Sequence, residues 1–519
     1  MFKPKKGAIA AGDELTAQAG YEILKAGGNA FDGAIAATLM SFVASSTITS
    51  MGGGGFMISC YHGEDISLLD FFTETPLQKR PANAIDFFPV IVDFGDKTQK
   101  FHVGKGTMAT PGNLAGLFHI HRKYGTLPFK ELVIPAVEAA KKGVILHKQT
   151  KYQADILKPI LNLSKTGRQI YSEKNEIKKL GQSYRLPLFA DFLEYISKEG
   201  PREFYEGEIS EKISKDSFDH GGHLTRDDFI NYKVIERKPL DFIYRGYQVF
   251  TNPPPNSGGP LINFTLSLLD QFKLDKIKWG SADHLSLLSH AIEYTSMARQ
   301  EVFVENRYSP KVMKMLFDDN FYQSILHSLK KETGKSGNTT HVSIADEDDN
   351  FVSITTSVGE GCGYYIPGTH IMMNNMLGEE DLNPEGFHEW KTGTRLSSMM
   401  SPTLFIKNKK PIATLGSGGS NRIRSAIVQS ISNFIDFEMP PDESVNSPRV
   451  HWEDNHLDVE PGFDMDIIEK LHLPQGAKTI FWSEKNMYFG GVHGVFKDKS
   501  NNLIPAGDRR RVGATKKLN

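Results

Sequence analysis

Cysteine is almost absent: the 519 residues contain two, Cys60 and Cys362. Two thiols form one bridge at most, so a disulfide framework is excluded and a reducing, cytoplasmic location is expected. No Cys/His spacing suits a zinc site. Excess charge of either sign is missing as well. Sixty Lys and Arg stand against 62 Asp and Glu, a net charge of −2, without the basic surplus of a nucleic-acid binder. There is no long apolar run. No Asp, Glu, Lys or Arg occurs from Gly33 to Gly63, but Ser41, Ser45, Ser46, Thr47, Thr49, Ser50 and four consecutive glycines break that stretch. It reads as a buried helix and a glycine loop, not a membrane span. The basic start, Met1 to Gly7, leads into no apolar core, so no signal peptide is read there. Repeats, low-complexity tracts and clear linkers are also lacking.

What is present is ample core-forming material, 39% hydrophobic against 24% charged residues. That suits two or three domains or one large intertwined body. Residues 7–63 read as strand, helix, helix, loop, strand. Asp13 is placed to cap a helix with Leu15, Ala19, Ile23 and Leu24 on one face, and Gly27-Gly28 stops it. An Ala-rich helix follows from about Ala30 to Val43. Gly52 to Gly55 lacks the Lys-Ser/Thr pair of a phosphate cradle. Residues 109–240 and 261–335 read as mainly helical, divided by the rigid turn Asn252-Pro253-Pro254-Pro255-Asn256-Ser257-Gly258. Thr339 to Val358 alternates as a β-hairpin about the acidic turn Asp346–Asn350. A second hairpin spans Thr403–Ile406 and Ile412–Leu415. Gly418-Gly419 then opens a helix with Ile423, Ile427, Ile431, Phe434 and Ile435 on one face. Hairpins alternating with helices give an α+β layered body.

A Thr-Thr hairpin alone reads as an ordinary strand pair, because Thr is β-branched. Its company changes that reading. Gly337-Asn338-Thr339-Thr340-His341 is followed in order by Arg395-Leu396-Ser397-Ser398-Met399-Met400-Ser401-Pro402 and Gly416-Ser417-Gly418-Gly419-Ser420. Met51-Gly52-Gly53-Gly54-Gly55 and Ala109-Thr110-Pro111-Gly112 precede it. This ordered set resembles the γ-glutamyltranspeptidase family of N-terminal-nucleophile hydrolases, from about Gly7 to about Thr515. The resemblance implies a four-layer αββα sandwich. It also implies autocleavage between Asn338 and Thr339, into a large piece 1–338 and a small piece 339–519 that stay associated. A homo-oligomer is compatible with it.

Chemistry makes such a break useful. A threonine hydroxyl is a weak nucleophile and needs a base, and no His-Asp pair in the sequence is an obvious partner for Thr339. A free α-amine on Thr339, with an ordinary pKa of roughly 7.7–8.0, lies within reach of the hydroxyl and requires no cofactor. The resemblance then implies an acyl-enzyme on Thr339, released to water or to an amine. It implies an oxyanion hole at Gly418 and Gly419, and a second hydroxyl at Ser357 where threonine is usual. Ser397 and Ser398 would hold the glutamyl α-carboxylate. An acid in Glu379-Glu380-Asp381 would hold the α-amine, with Asp381 favoured and Glu380 beside it.

Three positions depart from the family pattern: Phe72 stands where an arginine pairs with the glutamyl carboxylate, Gly359 where asparagine is usual, and Met376 where Gln or Glu is usual. Lys79 and Arg80 lie near Phe72 without matching the motif. The resulting expectation is a γ-glutamyltransferase-like amide hydrolase and acyltransferase with γ-glutamyl compounds such as glutathione as the family substrate. An amidohydrolase for a non-glutamyl amide is the first alternative, and an uncleaved scaffold or binding protein the second.

Overall fold

The computed structural model describes residues 3–93, 98–327, 339–453, 455–471, 473 and 476–519. The chain opens on β1 (Gly7–Ala11), α1 (Glu14–Lys25) and α2 (Ala30–Ala44). Asp13 caps α1 by accepting from the Thr16 N–H at 2.8 Å. Asn29 and Asp32 form a capping box at the start of α2, satisfying donors that a helix end leaves open. Every residue of α2 is buried, as expected of a helix apolar all round. Among the described residues no helix is long and apolar enough to cross a membrane.

Two antiparallel sheets form the centre. The first has seven strands: β1, β2 (Gly54–Tyr61), β3 (Asp65–Phe71), β4 (Ile235–Arg237) and, later in the chain, three more. After β5 (Leu240–Tyr244), β6 (Tyr247–Thr251) and α3 (Gly258–Asp270), the hairpin of β7 (Thr340–Asp346) and β8 (Phe351–Ser357) enters that sheet. The second hairpin is β9 (Thr403–Lys407) and β10 (Lys410–Gly418), followed by α4 (Arg422–Ile435), β11 (Gly491–Lys497), β12 (Leu503–Gly507) and β13 (Ala514–Leu518). The first sheet runs β4-β3-β2-β8-β7-β1-β13 and the second, six-stranded, runs β5-β6-β9-β10-β11-β12. Each sheet combines strands from both sides of residue 338, so a break there would leave the halves joined by ladder hydrogen bonds.

Alternation along β7 and β8 sets the layers. Val342, Ile344, Val352 and Ile354 pack with α1 and α2 in one core. Gly33 lets α2 approach closely, since a Cβ there would fall 2.6 Å from Ile344 Cδ1. His341, Ser343 and Ser353 point the other way. Ser353 Oγ donates to the Leu415 carbonyl at 3.1 Å and Ser343 Oγ to that of His493 at 3.3 Å, tying the sheets together. On the far side, Ile423, Ile427 and Ile431 of α4 pack with Leu415, Val492 and Phe496. The result is the expected αββα sandwich.

Leu15 departs from its expected place. It is 38% exposed, because the first turn of α1 runs past the end of β1 and reaches the rim of a cavity shared with Thr340 and Arg511. Phe434 and Ile435 are only half-buried at the end of α4. Cys60 and Cys362 are both free and buried.

Candidate active site

Thr339 directly precedes β7 and is buried. Its backbone carbonyl accepts a hydrogen bond from Arg511 Nη1 at 2.9 Å. Gly418, the last residue of β10, presses on the same carbonyl: a Cβ there would fall 2.1 Å from Thr339 O. Gly419 follows with φ +124°, a conformation that side chains rarely adopt. The chain then turns into α4, where the Arg422 N–H donates to the Gly419 carbonyl at 3.0 Å. Strand, glycine turn and helix N-terminus thus meet at Thr339, an arrangement that directs backbone donors and the positive end of a helix dipole toward one place.

Thr339 also lines a pocket. Ser357, at the end of β8, forms part of the wall, as do Ser397 and Ser398. The Pro-rich turn positions those serines. The Ser398 carbonyl accepts from the Ser257 N–H at 3.0 Å, and Asn252 Nδ2 donates to the Met400 carbonyl at 2.7 Å. The Ser398 hydroxyl itself accepts from the Met400 N–H at 3.1 Å. Ser357 Oγ accepts from the Gly359 N–H at 3.0 Å.

The acidic segment alternates. Glu379 and Asp381 line the pocket, whereas Glu380 lies outside the lining and acts on His102. Asp381 accepts from Ser420 Oγ at 2.6 Å and from Asn421 Nδ2 at 3.1 Å. Burial raises its pKa, opposed by the Arg299 and Arg422 guanidiniums and those two hydrogen bonds. Burial, followed by the Glu360 and Asp381 charges, holds the Glu379 carboxyl well above the usual carboxylate range.

Phe72 forms an apolar wall of the same pocket and stacks on Phe56, with ring centroids 5.3 Å apart. The neighbouring cations are engaged elsewhere. Lys79 Nζ donates to the His388 carbonyl, and the Arg80 guanidinium lies over the Phe218 ring. Arg395, two residues before the serine pair, is spent on Asp70 Oδ1 at 2.8 Å, the Asp70 and Lys233 carbonyls and Glu74. The residues lining the pocket include no Lys, Arg or His.

The family model described as gamma-glutamyltranspeptidase matches residues 16–518. The chain belongs to that family. It is 31% identical to the glutathione hydrolase proenzyme of Escherichia coli (strain K12), with 99% of this chain and 92% of that protein covered. It is 28% identical to the capsule biosynthesis protein CapD proenzyme of Bacillus anthracis, with 98% and 90% covered. Among solved structures, cephalosporin acylase from Bacillus halodurans superposes with a TM-score of 0.86 at 24% identity, over 99% of this chain and 96% of that one. That likeness carries the fold, an N-terminal-nucleophile hydrolase sandwich.

Within this family frame the structure brings Thr339, Ser357, Ser397, Ser398 and Asp381 to one pocket, with Gly418 against the Thr339 carbonyl. Asn338 lies outside the described residues. Two neighbours were not singled out in the sequence. Glu379 was one of three candidate acids, and only the alternation of side chains along 379–381 separates it from Glu380. Arg511 is 172 positions from Thr339, and no local pattern announces that pairing. Among the described residues, no group of three or more His, Cys, Asp or Glu is arranged to hold a metal ion.

Proposed function

We propose that this member of the family severs its own chain between Asn338 and Thr339 and then works as an amide hydrolase and acyltransferase through Thr339. The Thr339 hydroxyl attacks the carbonyl of residue 338, the peptide C–N bond breaks and an ester forms. Water opens the ester, leaving Thr339 with a free amine. In turnover the amine takes the hydroxyl proton as Oγ bonds to the substrate carbonyl. The substrate C–N bond breaks, the leaving amine takes that proton, and water or a second amine accepts the acyl group. Gly418 and Gly419 supply backbone N–H donors for the oxyanion, Ser357 orients the nucleophile, and Ser397, Ser398, Glu379 and Asp381 hold the acyl chain. Glu380, placed toward His102, is left out of that set.

The observation that carries this reading is the meeting of Thr339, the Gly418-Gly419 turn and the serine- and acid-lined pocket at one point. Two of the relatives are named proenzymes, which suits a chain that matures by cleavage. A denaturing gel with N-terminal sequencing tests it. Two fragments are expected, the smaller beginning at Thr339, and Thr339→Ala should abolish both cleavage and turnover. An active preparation that remains one intact chain would refute the mechanism, and an intact, inactive one would favour a scaffold.

γ-Glutamyl compounds are the family's substrate. A non-glutamyl acyl group is the second reading, and Phe72 at the expected arginine position favours it.

A further inference from the structure

A second cavity flanks Thr339. Thr339 lines it as well as the serine- and acid-lined pocket, and among the described residues no other does both. The order of the first sheet explains the placement, because β7 runs between β8 and β1. Ser357, at the end of β8, borders the first pocket, and Gly12, just after β1, borders the second cavity. An amide laid across Thr339 would have its acyl half over β8 and its amine half over β1.

The second wall has its own chemistry. Leu15, Ala44, Ile48, Val144 and Val512 give it an apolar lining, with Leu15 and Val512 exposed at the mouth. Its charged side chains are engaged. Asp13 accepts from the Thr16 N–H and from the Thr16 and Ser45 hydroxyls. Glu14 pairs with Lys516, and Arg511 donates to the Thr339 and Met487 carbonyls. The Thr150 hydroxyl donates to the His147 carbonyl, and both nitrogens of His341 meet hydroxyls, of Thr355 and Ser343.

Two buried polar tips remain open. Thr340 Oγ1 and His493 Nε2 border the cavity without a hydrogen-bonding partner among the described residues. Thr340 is 7% exposed and His493 1%. His493 Nδ1 accepts from the Asp508 N–H at 3.2 Å, and burial lowers the imidazole pKa to about 4. The ring is neutral at neutral pH, so its proton sits on Nε2, which is a donor. Gly12 keeps both tips accessible, since a Cβ there would fall 3.1 Å from Thr340 Oγ1 and 3.5 Å from His493 Nε2. A ligand carbonyl reaching these tips would satisfy buried groups that are costly to leave unpaired. An ionised ligand would enter an apolar cavity whose own charges are already committed.

We propose that this cavity receives the amine half of the substrate, and that this half is an apolar amine bearing one uncharged hydrogen-bond acceptor, taken up by Thr340 and His493. This rests on Thr339 being the acyl-enzyme nucleophile. Oγ bonds to the acyl carbon and the amide C–N bond breaks. The amine departs into the cavity with the hydroxyl proton relayed by the Thr339 amine, and water then releases the acyl group.

Calorimetric titration of the purified protein at neutral pH reads the cavity without turnover. Three arylamines serve as probes: aniline, 4-aminoacetophenone and 4-aminobenzoate, which carry no acceptor, an uncharged one and a charged one. The acetophenone is expected to bind about tenfold or more tighter than the other two. Gly12→Ala should remove that advantage. Leu15→Ser, at the exposed mouth, should weaken aniline and 4-aminoacetophenone by the same factor. Equal binding of those two, tighter binding of 4-aminobenzoate, or parental selectivity in Gly12→Ala would each overturn the proposal. On the mature protein, the 4-acetylanilide to anilide ratio of kcat/KM, measured with γ-glutamyl and butyryl donors, should fall about tenfold or more in Gly12→Ala. Comparing ratios between the two proteins cancels the electronic effect of the acetyl group. An unchanged ratio, or a mature protein that turns over none of these anilides, would overturn the leaving-group role. A chain that never matures would instead sink the assignment of Thr339.

Discussion

Arg511, eight residues from the end of the chain, donates from Nη1 to the Thr339 carbonyl at 2.9 Å and from Nη2 to the Met487 carbonyl at 3.2 Å. The guanidinium is buried. That desolvation, with Arg422 and Arg449 nearby and Asp508 opposing, lowers its pKa to about 10. It remains a cation at neutral pH and fixes the backbone of Thr339, the nucleophile of the proposed mechanism.

Removing it would leave a buried carbonyl without a donor, a loss of about 1–3 kcal/mol. Arg511→Gln should therefore slow the appearance of the two fragments on a denaturing gel ten- to a hundredfold. Arg511→Lys, which keeps charge and donor, should recover part of the rate. Processing at the parental rate in Arg511→Gln would show that the contact does not position Thr339.

Gly418 offers a steric test of the same point. The added methyl of Gly418→Ala would fall 2.1 Å from Thr339 O and 3.2 Å from Arg511 Nη1, so the nucleophile must shift. A shift of about 1 Å costs on the order of a hundredfold in a positioned reaction. Both self-cleavage and kcat should drop by that factor or more. Far-UV circular dichroism of the purified variant should stay that of the parent, separating displacement from unfolding.

The Glu379 carboxyl, raised by burial and by Glu360 and Asp381, gives a pH signature. In the unfolded chain a glutamate titrates at about 4.3. Above that pH the folded state keeps a proton that the unfolded state has lost, so stability falls as pH rises, until the folded carboxyl ionises in turn. The slope within that window is about 1.4 kcal/mol per pH unit. Glu379→Gln removes the term. Thermal melts of the mature protein without ligand should show the variant gaining on the parent as pH is raised from about 5 to about 8. Parallel curves would show that Glu379 ionises freely.

Local pattern made much of the fold legible. The period-two runs of β7 and β8, the Asp13 cap and the isoleucine stripe of α4 each follow from neighbours in sequence, and all three formed as read. The Thr-Thr, Ser-Ser and Gly-Gly motifs gave most of the residues that meet around Thr339 because each is a pair of neighbours in sequence. Contacts between distant segments were not legible. The Arg511–Thr339 bond, the Glu360–Glu379 pair and the burial of Arg395 against Asp70 join residues 172, 19 and 325 positions apart. Leu15 was misplaced because a helical stripe shows which residues share a face but not where the sheet beneath ends.

Phe72 is where recognition can be redirected. The side chain is 1% exposed, stacks on Phe56 and faces the pocket that holds Thr339 and the serine pair. Phe72→Arg would place a guanidinium opposite Ser397 and Ser398, within reach of Glu379 or of a substrate carboxylate, and a bidentate fork suits either. Losing the packed ring should cost about 3–5 kcal/mol, so the variant should melt earlier. Comparison within one preparation makes selectivity independent of that loss. The γ-glutamyl 4-nitroanilide to butyryl 4-nitroanilide ratio of kcat/KM should rise at least tenfold, since the new cation attracts the substrate carboxylate. A folded, processed Phe72→Arg protein with an unchanged ratio would mean that the side chain at this position does not face the acyl group.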